Sequence, residues 1–174
     1  MRRFVSRLFI VAGIATASLG FEHLAAAWWF QQHVTVASFA PPSPFFPPGF
    51  AGELRIPRLD TSLGLVNQHT DSHFRRGPGF ISGSDRPGGL NCIIAGHRDL
   101  HFRILRNVRI GDRIEIDSPE GKFIYRVASC SIVSPTNVDS LRRIYPRQLT
   151  LVTCYPFYYV GPAPKRFVVR AELQ

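Results

Sequence analysis

The sequence predicts a mainly β fold that closes, or nearly closes, into a barrel. From Gly52 onward, short apolar or alternating runs are separated by Gly-, Pro-, Asn- and Asp-rich turns, and few stretches have helical periodicity. In the longest run, Phe123, Tyr125 and Val127 alternate with residues suited to the solvent side, as in a strand with one buried face. Many short strands joined by turns are typical of barrels.

The strands follow from these signals in chain order. A first pair flanks the turn-rich segment 57–60, and a later apolar strand runs directly into Gly96. Two further β-rich runs lie on either side of a Gly- and Pro-containing loop near the C-terminus. The predicted strands are 53–56, 63–66, 90–95, 113–116, 122–133, 149–153 and 166–172.

Helical signals are few. Phe102, Leu105 and Val108 have the spacing of one or two helical turns, and a further short helix is expected at 137–145. Residues 69–80 are polar, with one weak helical stretch, and their Gly-Pro-Gly sequence indicates a turn. The domain is therefore expected to carry one or two short helices.

Residues 1–30 predict export. Arginines near the N-terminus precede a long apolar stretch, and Trp28 and Trp29 suit the outer membrane interface, so we predict a transmembrane signal-anchor. A cleaved secretory signal ending near Ala25–Ala27 is the alternative. Residues 31–51 are expected to form a Pro-rich spacer, and 52–174 the folded domain. The expected location is the cell membrane, single-pass, with the domain on the extracytoplasmic side.

Composition narrows the class of protein. The formal charge of +9 is carried almost wholly by scattered arginines with no nucleic-acid motif, so nucleic acid is not an expected partner. The three cysteines Cys92, Cys130 and Cys154 form neither a disulfide framework nor a zinc-type spacing. Cys92 and Cys130 lie in apolar strands, where buried thiols are expected.

Cys154 stands at the end of a strand, because Pro156 prevents regular continuation. His97 follows another strand, and Arg166 opens the strand after Cys154. An imidazole and a cation near a thiol raise its reactive thiolate fraction, and a guanidinium can hold an oxyanion. Taken singly, each residue also has an ordinary structural interpretation. Cys154 could be a core residue, and Arg166 could be a surface charge.

The motifs around these three residues resemble those of the sortases. Thr150-Leu151-Val152-Thr153-Cys154 is followed twelve residues on by Arg166, and Ala95-Gly96-His97-Arg98-Asp99 lies upstream. The resemblance covers most of the chain from Gly52, in order, and is nearest to class D or to the Gram-negative sortases. It implies a closed eight-stranded β-barrel that performs cysteine transpeptidation on exported proteins.

The resemblance also implies roles for the site residues. Cys154 would be the nucleophile, His97 the general acid and base, and Arg166 the group that stabilises the substrate or oxyanion. Thr153, Tyr155 and Val152 are the candidates for substrate contact. Cleavage of an LPxTG-like sorting signal would give a thioester, which an amine of the cell envelope would resolve.

No cofactor or metal is expected, and the lack of an acidic cluster before Cys154 argues against a calcium site. Arg98 and Asp99 are candidates for orienting the site loop, while His101 is expected at the surface. Two alternatives stay open at this point. One is another family of cysteine peptidase, and the other is a non-catalytic, membrane-anchored β-domain that binds a surface partner.

Overall fold

The computed structural model describes residues 49–67, 75–137, 146–159 and 161–174. The predicted signal-anchor, almost all of the spacer and all but the first residue of the predicted helix at 137–145 lie outside these ranges. Within them, no helix has both the length and the apolar character needed to cross a membrane.

The described residues form a closed barrel, which confirms the predicted fold class. Around the barrel the strands run in the order β1-β2-β3-β4-β7-β8-β6-β5. Neighbours are antiparallel except for β2 with β3 and β4 with β7, which are parallel. The strands are β1 Phe50–Ile56, β2 Thr61–Asn67, β3 Gly79–Phe80, β4 Asn91–Gly96, β5 Arg113–Ser118, β6 Gly121–Val133, β7 Gln148–Tyr155 and β8 Lys165–Leu173.

The strand β3 was not predicted from the sequence. The Gly-Pro-Gly signal was interpreted as a turn, yet Gly79 pairs with both Val66 and Ala95 and so joins β2 to β4. A two-residue strand has no periodicity to read, and the buried Phe80 is its one apolar side chain. Tertiary pairing therefore decides this element.

Two 3-10 helices accompany the barrel, at Pro57–Leu59 and His101–Asn107. The second, which we call the capping helix, coincides with the predicted helical turns and buries Phe102 and Leu105 in the core. It connects the C-terminal end of β4 to the start of β5. By the strand register, the C-terminal end of β4 lies beside the C-terminal end of β7, which in turn pairs with the start of β8.

The alternation predicted for β6 is confirmed. Tyr125 and Val127 are buried and Phe123 packs against the core, whereas Arg126 faces solvent. The hydroxyl of Tyr125 accepts a hydrogen bond from Gly88 N at 2.8 Å, and burial raises the pKa of Tyr125 to about 12. The largest aromatic core residue therefore stays neutral and bonded at physiological pH.

Candidate active site

Strand register brings the three predicted catalytic residues to one place. Cys154 on β7 lies directly opposite Arg166 on β8, so the two side chains share a face of the sheet. On the other side of β7, the parallel pairing with β4 ends at Gly96 and Thr153. His97 directly follows the last residue of β4, and Cys154 is the next residue of β7. The thiol on β7 therefore lies between the segment that carries His97 and the strand that carries Arg166.

The β4–β7 pairing is fixed by side chains near both ends. Thr153 Oγ1 donates to Gly96 O at 2.7 Å, one residue before Cys154 and His97 respectively. Farther along, Thr150 Oγ1 donates to Asn91 Oδ1 at 2.7 Å, and both residues are buried. A slip of one residue would flip every side chain to the opposite face, so these bonds also fix which residue stands beside Cys154.

The glycine of the Ala-Gly-His sequence, Gly96, is required for steric reasons. A Cβ built on Gly96 would lie 2.8 Å from the ring of Phe102 and 3.2 Å from the side chain of Pro78, so only glycine fits. Beyond it, Phe102 N donates to His97 O at 3.1 Å and closes the turn that leads into the capping helix. The packing of Phe102 therefore sets where the His97 backbone leaves the sheet, and the His97 side chain stays exposed.

Within the described ranges, Arg166 forms no ion pair with a carboxylate. Its Nη1 donates to Ala163 O at 3.2 Å and to Lys165 O at 3.0 Å, both neutral acceptors. Among the residues that the structure describes, the five ion pairs involve other basic side chains. A cation bonded only to carbonyls remains able to stabilise a neighbouring anion.

The three predicted substrate contacts lie on different faces. Val152 lies on the face of Cys154, opposite Val168. Tyr155 stacks on Phe167 with ring centroids 6.4 Å apart, and both contact Phe157 edge-on. Thr153 is 3% exposed, and its hydroxyl is bonded to Gly96, so its contacts lie within the barrel.

Sequence reasoning did not identify the contacts between the capping helix and the β7–β8 loop, residues 156–164. The guanidinium groups of Arg103 and Arg106 lie 5.1 and 5.5 Å from the ring centroid of Tyr158. Arg98 lies 5.6 Å from the ring of Tyr159. The only available signal was that both segments follow strands predicted to end at the site.

His101 is not the surface residue that was expected. It is partly buried at the start of the capping helix, and its Nε2 lies 3.4 Å from Arg75 O. Burial, and to a smaller degree the nearby His97, lowers the pKa of His101. A neutral imidazole therefore lies beside the predicted acid–base residue.

Of the two thiols expected to be buried, Cys92 is buried, whereas Cys130 is only partly buried, like Cys154. Cys92 is fully buried, and burial raises its pKa to about 12. Cys130 is partly buried, and its pKa is also raised by burial. Cys154 is partly exposed at the end of its strand. Among the described residues, no cluster of three or more His, Cys, Asp or Glu is arranged to hold a metal ion.

An eight-stranded closed barrel with this strand order, carrying Cys154, His97 and Arg166 at one end, defines a class of cysteine-dependent barrel proteins. Residues 54–174 match the family model of the sortase domain, and the chain therefore belongs to the sortase family. This membership excludes the alternative of another cysteine peptidase family.

Curated relatives agree with the class predicted from the motifs. Sortase D of Bacillus subtilis strain 168 is 31% identical over 121 residues, which are 68% of this chain and 61% of that protein. Sortase A of Bacillus anthracis is 25% identical over 126 residues, 70% of this chain and 59% of the relative. The chain thus spans about three fifths of the length of these relatives.

Solved structures show the same fold. A Clostridium perfringens sortase D5 transpeptidase superimposes with a TM-score of 0.68 at 19% identity, over 86% of this chain and 99% of the other. Sortase A of Listeria monocytogenes gives a TM-score of 0.66 at 23% identity, over 72% of this chain and 88% of the other.

Proposed function

We propose that this protein is a cysteine transpeptidase that cleaves an LPxTG-like C-terminal sorting signal and transfers the acyl fragment to an amine. The observation that carries the proposal is the cross-strand pairing of Cys154 with Arg166, next to the end of the β4–β7 pairing from which His97 emerges. A nucleophile, a proton carrier and a charge stabiliser are the three parts that thiol acyl transfer requires.

The first half-reaction forms a thioester. The Cys154 thiolate attacks the carbonyl carbon of the scissile peptide bond, and the carbonyl electrons move onto oxygen. Arg166 stabilises the developing negative charge with directed N–H donors. As the tetrahedral intermediate collapses, the C–N bond breaks and His97 gives its proton to the leaving amine.

The second half-reaction reverses the proton flow. Neutral His97 accepts a proton from the incoming amine as its nitrogen attacks the thioester carbonyl. The C–S bond then breaks, the Cys154 thiolate is regenerated with protonated His97, and a new amide is released. Water in place of the amine gives hydrolysis.

The proposed partners follow from this chemistry and from the N-terminal sequence. Residues 1–30 would anchor the chain in the cell membrane and the spacer would extend the domain on the extracytoplasmic side. There it would meet exported proteins that carry a sorting motif and an amine acceptor of the envelope. The proposed reaction uses no cofactor.

The decisive experiment traps the acyl-enzyme. The full chain in detergent is incubated with a library of LPxTG-like peptides and candidate amines, and intact-mass spectrometry follows both enzyme and peptide. We expect a mass increase equal to the acyl fragment on Cys154, and transfer when amine is present. If no peptide yields the adduct or is cleaved, the protein is instead a non-catalytic β-domain.

A further inference from the structure

We propose that Arg98 is a positioning residue that holds the β7–β8 loop in the conformation that binds the sorting peptide. The inference rests on the proposed transpeptidase function. Arg98 takes no part in the chemical steps of that function. It joins the segment that contains His97 to the loop between Cys154 and Arg166.

The contacts of Arg98 are concentrated on this loop. Arg98 Nη2 donates to Tyr159 O at 2.6 Å and to Gly161 O at 3.0 Å. The guanidinium also lies 5.6 Å from the ring centroid of Tyr159. Two carbonyls and one aromatic ring thus surround a single cation, although 61 and 63 residues separate Arg98 from the two acceptors.

The backbone of the loop fits this arrangement. Gly161 has a φ of 98°, in the left-handed region that glycine adopts at little cost. Arg166 holds the same loop from its other side, because its Nη1 donates to Ala163 O. The carbonyls of residues 159 and 161 are therefore bonded to the arginine beside the predicted acid–base residue, and that of Ala163 to the predicted oxyanion-stabilising residue.

The other contacts of the described loop differ from those of Arg98: Phe157 packs on Phe167 at the start of the loop, and Arg103 Nη2 donates to the Tyr158 hydroxyl at the longer distance of 3.4 Å. The Tyr158 ring is 69% exposed and contacts Arg103 and Arg106 at the surface, and the Tyr159 ring is 45% exposed. Exposed cation–π contacts are weak, whereas hydrogen bonds from a charged donor are stronger. Loss of Arg98 should thus release the loop without unfolding the barrel, because Arg98 is not one of the apolar residues that form the core.

The kinetic consequence is specific. If only a fraction of free enzyme has the loop in the binding conformation, the apparent affinity for peptide falls by that fraction. Once the peptide is bound, the loop is in place and the chemical step is unchanged. Arg98 should therefore act on KM rather than on kcat.

The test compares Arg98→Ala and Arg98→Lys with Arg126→Ala in the full chain in detergent. Arg126 is a matched control, because its guanidinium also donates to a backbone carbonyl, Gly111 O at 3.1 Å, but it lies opposite Glu172 on β8. Glu172 is six strand residues from Arg166, roughly 20 Å at about 3.3 Å per residue. Measured quantities are kcat and KM for a cleaved LPxTG-like peptide, iodoacetamide alkylation of Cys154, and Tm.

We expect Arg98→Ala to raise KM about tenfold, the effect of losing charge-assisted hydrogen bonds, with kcat and the alkylation rate within about twofold of wild type. Arg98→Lys keeps the charge but cannot bond both carbonyls with a planar fork, so its KM should be intermediate. Arg126→Ala should match wild type in KM.

Three outcomes overturn the inference: an unchanged KM in Arg98→Ala, a fall in kcat alone, or an equal rise in KM for Arg126→Ala. A lower Tm with a proportional loss of titratable active sites and unchanged KM identifies a merely structural role and also overturns it. Failure of the wild type to cleave any peptide overturns the proposed function instead, so the two failures are distinguishable.

Discussion

The capping helix has an arginine bound near each end, and the two arginines have different surroundings. Near its C-terminal end, Arg58 donates to Asn107 O at 2.7 Å and to both carboxylate oxygens of the buried Asp112, at 2.5 and 2.7 Å. Just before its N-terminal end, Arg98 donates to the carbonyls of Tyr159 and Gly161 and contacts the Tyr159 ring. Within the described ranges, a carboxylate neutralises Arg58 but none forms an ion pair with Arg98.

We interpret this difference as a difference in role: Arg58 stabilises the fold near one end of the capping helix, and Arg98 positions a loop near the other. A buried carboxylate bonded to a guanidinium locks its segment, because removing one partner leaves the other uncompensated. A carbonyl-bound arginine holds a loop more weakly and leaves its positive charge at the site. Arg166 follows the same pattern, since its Nη1 donates to two carbonyls. In the proposed mechanism, this cation opposite Cys154 stabilises the anion that forms on the substrate.

The largest predicted effect concerns the nucleophile. Cys154→Ala should lower peptide cleavage by at least about 10⁴-fold, because removal of a nucleophile leaves only binding and charge stabilisation. Cleavage is measured by mass spectrometry. Cys130→Ser is the control, because Cys130 lies on β6, opposite Val169 of β8. Cleavage by Cys154→Ala at the wild-type rate would contradict the catalytic assignment and leave the end of the barrel with no known chemistry.

The next effect contrasts the site with the core. Burial raises the pKa of Cys92 to about 12, so at pH 8 its alkylation should be about a thousandfold slower than that of an ordinary exposed thiol. Peptide mapping after iodoacetamide treatment should find Cys154 modified first and Cys92 modified only in urea. Early modification of Cys92 in folded protein would show that the barrel is more open than its buried core implies.

A smaller effect is expected near the C-terminal end of the capping helix, where Arg58 binds Asp112. Asp112→Asn should lower the free energy of unfolding by about 2 kcal/mol, through weakened charge-assisted bonds to Arg58 and to Arg109 N. Urea unfolding measures this, and KM for the peptide should stay at the wild-type value. A rise in KM equal to that of Arg98→Ala would show that the two ends of the helix are not independent.

Much of this arrangement could be predicted from the sequence, for identifiable reasons. Period-two alternation around Tyr125 and the apolar run before Cys154 depend on local rules, so those strands were predicted with errors only at their ends. The pairing of Cys154 with Arg166 follows from a short loop between two adjacent strands. The position of His97 needed the motif resemblance, because the parallel β4–β7 pairing joins distant segments.

Other features depend on packing that no local pattern encodes. The strand β3 is too short to show a period, and Arg98 finds its acceptors more than sixty residues away. His101 is partly buried because the capping helix presses it against the segment of Arg75. In each case the sequence shows the residues, and only the tertiary structure gives their partners.

The smallest effect tests whether the two ends of the capping helix titrate separately. Burial lowers the pKa of His101, so the unfolded chain binds this proton more readily than the folded one. Stability should therefore fall as pH drops below about 6.5, the ordinary histidine value, and level off below the folded pKa. The pKa of Asp112 is lowered mainly by its bond to Arg58. The loss of stability that accompanies protonation of Asp112 therefore begins only below about pH 4.

His101→Gln should remove the first of these losses and keep the second, whereas Asp112→Asn should do the reverse. Urea unfolding at intervals from pH 8 to pH 3 measures both losses of stability. A His101→Gln variant with the full wild-type loss between pH 6.5 and 5 would assign that loss to another group. The N-terminal end of the helix would then carry no titrating residue of its own, and the contrast with Asp112 would reduce to the ion pair alone.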